Sequence, residues 1–189
     1  MAETNTVRRA AALPPSQRRA AIIEAVRPLL IEFGESVTSR QIASAAGIAE
    51  GTIFGVFADK DEVLSATLEA ALDPQSLEDE LAEIDASFRF DTRVRVATEI
   101  IQRRLVDLMR LVANLGPKLQ EQAARPLAES VALTELFESA DTDLRIEPAR
   151  AARILKALTL SMSHPMLVGD PVPASEIAEV FLHGIAASP

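Results

Sequence analysis

The sequence contains no cysteine, no tryptophan and no tyrosine. Without thiols there are no disulfides, no thiolate metal ligands and no cysteine nucleophile. The two histidines, His164 and His183, are too few and too isolated for a zinc site, so neither a metal nor a cofactor is expected. No apolar run approaches the roughly 20 residues that span a bilayer. The N-terminus is polar and Arg-bearing, with no apolar stretch behind it to make a secretory signal. A cytoplasmic protein with no membrane partner is expected. Also missing are a phosphate-cradling glycine loop, a recognisable Ser-His-Asp set and His-Glu metal spacing, which argues against an enzyme. The acidic run Glu78-Asp79-Glu80 reads as a solvated helix face.

What is present favours helices. Hydrophobic residues make up 48% of 189, enough for a substantial core, and aromatics only 4%, all phenylalanine. Ala, Leu, Glu and Arg are abundant, and strand-like alternation is absent. The fold class expected is all-α. The net charge of −9 is unevenly spread: residues 1–64 carry seven basic and eight acidic side chains, residues 65–189 twelve and twenty. Within residues 1–20, Arg8, Arg9, Arg18 and Arg19 face only Glu3. Phosphate attraction is local at physiological salt, so such a chain can still meet nucleic acid at one end.

Residues 1–15, with Pro14 and Pro15, read as an arm. Ile22, Val26, Leu29, Leu30 and Phe33 then mark one face of a helix that Gly34 ends, with Pro28 as an expected kink. Thr38 and Gln41 have capping-box spacing and open a short helix closed at Gly47. A second short helix is expected over about Glu50–Phe57, with Ile53, Phe54 and Phe57 on its apolar side. Asp59 and Glu62 form a second capping pair, opening a helix that Asp73-Pro74 stops. Longer helices follow: one marked by Leu77, Leu81, Ile84 and Phe88; one over about Asp91–Leu115; and one broken or two short helices in 118–139, interrupted near Pro126. Glu147-Pro148 starts another that reaches His164-Pro165. A Pro- and Gly-bearing loop, 165–173, precedes a last helix with Ile177, Val180, Phe181 and Ile185.

Two short helices joined by a Gly-containing turn make the helix-turn-helix pattern. A second helix held steeply across the first needs small residues at the crossing, and Ala43, Ala46 and Gly47 supply them. Ile42, Ile48 and Ile53 back the second helix, leaving its other face free for base edges and phosphates. The stretch from Thr38 to Leu64 closely resembles the N-terminal signature of the tetracycline-repressor family. Thr38, Ile42-Ala43, Ala46-Gly47, Gly51-Thr52, Phe57, Lys60 and Leu64 fall in register, and the resemblance covers about residues 17–64.

The resemblance implies a three-helix DNA-binding domain (16–64) followed by a larger helical effector-binding and dimerisation domain (65–189). Such a protein is a transcriptional regulator, a repressor released by a small effector from a palindromic or pseudo-palindromic operator, and the absence of a clear charged cluster points to an apolar effector. DNA contacts are expected from Thr38, Arg40, Ala49, Glu50, Gly51, Thr52, Phe54, Gly55 and Lys60, with Thr38, Thr52 and Lys60 on phosphates. A homodimer is expected to pair through about 148–163 and 174–186, using Leu155, Leu158, Ile177, Val180 and Phe181. Phe88, Leu105, Leu108, Met109, Val112, Phe137, Met162 and Met166 are the expected effector pocket. The chain departs from the family pattern at Phe54, where Tyr is common, and at Ala49, which cannot cap as Ser would. Glu50, Gly55 and Val56 also leave the reading helix poor in hydrogen-bonding groups. These departures favour an alternative, a helical ligand-binding or protein-interaction dimer that keeps the fold without specific DNA binding.

Overall fold

The computed structural model describes residues 14–141 and 143–185, and all regular elements there are helical. Residues 1–13, most of the expected arm, lie outside it. The chain divides between Thr67 and Leu68 into two compact units.

In the first unit, α1 (Pro15–Phe33) begins at the second of the two prolines, so Pro15 is a helical residue rather than part of an arm. Proline suits that position because its missing N–H has no intrahelical partner there. Pro28 lies inside α1 on the exposed side, and the helix continues through it. Ile22, Val26 and Leu30 are buried, whereas Leu29 is half-buried and Phe33 is exposed, so the inward stripe is narrower than expected. After a 3-10 turn (Gly34–Ser36), α2 (Ser39–Ala46) packs on α1, and α3 (Glu50–Ile53) packs on α2. Val37, Ile42, Ile53, Phe57, Val63 and Leu64 complete this small core, the last two from α4 (Lys60–Leu72).

The second unit is built around α6 (Phe90–Ala113), which packs on α5 (Gln75–Ala82), α9 (Pro148–Ser163) and α11 (Ala174–Ile185). Between α6 and α9 the chain forms α7 (Pro117–Ala123) and α8 (Val131–Glu138), either side of the Pro126 break. The expected loop after His164 begins instead with one helical turn, α10 (Pro165–Val168). His164 caps it, its Nδ1 accepting from the Met166 N–H at 3.3 Å. Ile84 and Phe88, expected on a helix with Leu77 and Leu81, lie beyond the end of α5.

Three phenylalanines hold the centre of this unit: Phe90 and Phe137 meet edge-on at 5.9 Å, and Phe137 and Phe181 are 5.6 Å apart. Leu81, Val94, Ile101, Leu133 and Leu155 surround them. Arg93 is buried among these, donating to the Ser139 hydroxyl at 2.7 Å and carbonyl at 2.9 Å. Thr98 and Thr159 satisfy their buried hydroxyls on carbonyls one turn back, at 2.7 and 2.8 Å.

This core corrects part of the expected dimer face. Leu155, Ile177 and Phe181 are only 0–3% exposed in the single chain, leaving a partner nothing to cover. Val180 is exposed and Leu158 half-buried. In the expected pocket, Phe88 and Met166 are exposed in the single chain. Phe137 is core, Leu105 packs against that core, and Leu108, Met109, Val112 and Met162 are half-buried.

Candidate nucleic-acid interface

Local chemistry sets the geometry of α2 and α3. The Thr38 hydroxyl accepts from the Gln41 N–H at 3.3 Å, while the Gln41 carboxamide oxygen accepts from the Thr38 N–H and hydroxyl, each at 2.8 Å. This capping box satisfies donors at the start of α2, and it also occupies Thr38, the residue expected on a phosphate. At the other end Gly47 takes a left-handed conformation (φ 65°). Its N–H reaches the Ser44 carbonyl at 3.3 Å and the Ile48 N–H reaches the Ala43 carbonyl at 3.0 Å. That pair of bonds is a Schellman stop, in which a Cβ at Gly47 would be strained.

The reading helix is shorter than expected. α3 is regular only over Glu50–Ile53; Phe54–Val56 form a turn. There the Gly55 and Val56 N–H groups bond three residues back, to Thr52 at 3.3 Å and Ile53 at 3.0 Å. Ala49 makes no side-chain cap. Ile53 and Phe57 are buried, but Phe54 is 48% exposed, so it does not join the core as its place in the pattern suggested. Arg40, Ala49, Glu50, Gly51 and Gly55 are also exposed, and Thr52 is half-buried. A Cβ built at Gly51 meets no atom within 4 Å, so nothing within the protein demands glycine there.

Lys60 and Arg19 do work the sequence did not reveal. Lys60 donates to the backbone carbonyls of Glu35 at 2.9 Å and Val37 at 3.2 Å, tying the start of α4 to the turn before α2. An ammonium has three donors, so one remains for a phosphate. Arg19 pairs with Glu62 at 3.3 Å, and its guanidinium lies 4.3 Å from the centre of the Phe57 ring. Glu62 also accepts from the Ala58 N–H at 2.6 Å, and Asp59 accepts from the Glu62 N–H at 2.8 Å. Arg19 is thus a clamp across the end of the reading segment.

Residues 22–67 match the family model for bacterial regulatory proteins of the tetR family. Over those residues the chain is similar to the tetR family. Solved structures agree in fold. A tetR-family regulator from Mesorhizobium loti is 18% identical, with 93% of this chain and 100% of that one covered and a TM-score of 0.61. SmeT, the repressor of a multidrug efflux pump of Stenotrophomonas maltophilia, is 22% identical over 90% and 91% of the two chains, with a TM-score of 0.53. A structure described as the molecular basis for control of antibiotic production by a bacterial hormone is 21% identical over 90% and 98%, with a TM-score of 0.60. The hairpin of α2, Gly47 and α3 lies within the matched residues, and a larger helical unit follows it. No described helix is long and apolar enough to cross a membrane.

Proposed function

We propose that this protein is a DNA-binding transcriptional repressor, acting as a homodimer on a palindromic or pseudo-palindromic operator and released by a small effector. The observation that carries this is the α2–Gly47–α3 hairpin, whose outer residues Arg40, Glu50, Gly51, Phe54 and Gly55 are uncovered. Arg40 and the third donor of Lys60 meet phosphates, while Ala49, Gly51 and Gly55 let the backbone approach closely. Glu50 reads a base amine, the partner a carboxylate accepts from in the major groove. Thr38 and Thr52 add hydroxyls at the edge, Thr38 by sharing its cap. The repressor role is supported by SmeT, itself a repressor.

Dimerisation uses the outer faces of α9 and α11, where Ile154 (39% exposed) and Val180 (50% exposed) remain uncovered beside half-buried Leu158. A charge at Val180 should yield monomers in sedimentation, and a surviving dimer would place the interface elsewhere. The test of the whole reading is a mobility shift on the DNA upstream of its own gene. Binding should weaken steeply as salt rises, because phosphate contacts release counterions.

A second reading, a helical ligand-binding dimer without specific DNA recognition, is favoured by the exposed Glu50 carboxylate at the head of α3. A weak or salt-insensitive interaction with neighbouring intergenic DNA would select it.

A further inference from the structure

The second unit encloses a cavity of about 90 Å3 bordered by the 127–130 segment, α8 and α9, with Leu127, Ser130, Thr134, Ala152, Arg153 and Lys156 in its wall. That is room for several water molecules, well below a drug-sized pocket. None of the eight residues expected to line an effector site borders it. Lys156 is its unusual member, a lysine only 6% exposed. Its ammonium donates to the Ala128 carbonyl at 2.5 Å. Two donors remain.

Buried charges are ordinarily paired, because desolvation costs several kcal/mol per ion. The nearest candidate partner does not take the spare donors. Glu78 on α5 accepts from the Ala132 N–H at 2.9 Å through one carboxylate oxygen, while its other oxygen is buried with no hydrogen-bond partner. Burial lowers the Lys156 pKa, and the Glu78 charge opposes that shift without being hydrogen-bonded to the ammonium. Arg153 adds a second, exposed cation to the wall, and Glu129 an exposed carboxylate. Leu127, Ala149 and Ala152 supply apolar surface beside the Ser130 and Thr134 side chains.

We propose that this cavity binds a short-chain monocarboxylate, its carboxylate on the Lys156 ammonium and its alkyl tail against Leu127, Ala149 and Ala152, and that this ligand is the effector. The ligand's role as effector rests on the regulator reading; its binding does not. An anion of this size uses the spare donors, and the limited volume excludes long chains. The class differs from the apolar effector that the scarcity of charged clusters in the sequence suggested.

The probes are butyrate and its neutral isostere butyramide, titrated calorimetrically into the full-length protein without DNA. Butyrate should bind once per chain in the millimolar range or tighter and raise the melting temperature with dose. Butyramide should bind at least about tenfold more weakly, the loss expected on removing a charge-assisted hydrogen bond. Lys156→Met keeps the length of the side chain and should abolish butyrate binding while retaining helical circular dichroism. Should that variant fail to fold, Ala149→Leu fills the cavity from an exposed helix position and should abolish binding with Lys156 intact. Equal binding of the two probes, undiminished binding in either folded variant, or no butyrate binding overturns the site. Binding that leaves operator affinity unchanged refutes only the effector role. Absence of any DNA binding sinks the regulator reading instead, and the calorimetry still decides the site.

Discussion

Both units clip helices with surface cations, Arg95 to Glu179 and Arg103 to Glu80 in the second, but the buried cations among the described residues lie in the second alone. In the first, cations act as clips around a small core: Lys60 reaches over to the carbonyls of Glu35 and Val37, and Arg19 spans Phe57 and Glu62. In the second, Arg93 and Lys156 are drawn inside, beside a phenylalanine cluster and a cavity. The contrast follows from size. A small unit buries a small fraction of its surface and depends more on caps and clips. A larger one has enough apolar burial to carry the cost of a few interior charges.

The sharpest way to break this comparison is to remove the aromatic centre of the larger unit. Phe137→Ala should destabilise it by about 3–5 kcal/mol, seen as a lower denaturant midpoint. A loss below about 1 kcal/mol would mean the ring cluster is not the centre of that core. Lys60→Ala should cost about 1.5–3 kcal/mol in the free protein, because it deletes charge-assisted bonds to two carbonyls. It should also weaken binding to all DNA sequences alike. Unchanged stability with weakened binding would return Lys60 to a purely phosphate-facing role.

Thr38→Ala should cost about 0.5–2 kcal/mol through the capping box. Gly51→Ala should leave stability equal or up to about 1 kcal/mol higher, since alanine is the better helix former and the Cβ meets nothing. Its effect should appear in DNA affinity alone, read by fluorescence anisotropy. The smallest expected effect is a pH dependence from the larger unit. The folded state lowers the Lys156 pKa, so above that value it holds fewer protons there than the unfolded chain. Stability should therefore rise as pH climbs through the lowered value and level off at the ordinary lysine value. Lys156→Met should remove that slope; an identical slope in the variant would assign it to another group.

The first unit was the more legible because its determinants are neighbours in sequence. Thr38 and Gln41 are three residues apart, Asp59 and Glu62 likewise, and Gly47 stands where the α2 turn closes. Its clips were not legible. Arg19 and Glu62 are 43 residues apart, and Lys60 and Glu35 are 25 apart, with no periodicity linking them. The extent of α3 was also misjudged: the apolar pattern Ile53, Phe54, Phe57 continues a helix, but Gly55 has poor helix propensity and the backbone tightens into a turn there.

In the second unit the helices could be read, their faces less so. α9 and α11 carry apolar residues on more than one side. Leu155, Ile177 and Phe181 face inward while Ile154 and Val180 do not, a partition that depends on where α6 lies. Lys156 reads from sequence as an ordinary surface lysine on α9. Only packing against the 127–130 segment makes it a buried cation.

The sequence by itself determined the helical class, the caps and stops of α2 and α4, and the small-residue hairpin that identifies the first unit. Those features arise from backbone preferences and hydrogen bonds a few residues long. Tertiary structure alone decided which apolar faces are core, which cations became clips, and that one lysine lines a cavity. Such outcomes depend on groups brought together from distant parts of the chain, and local preference carries no information about them.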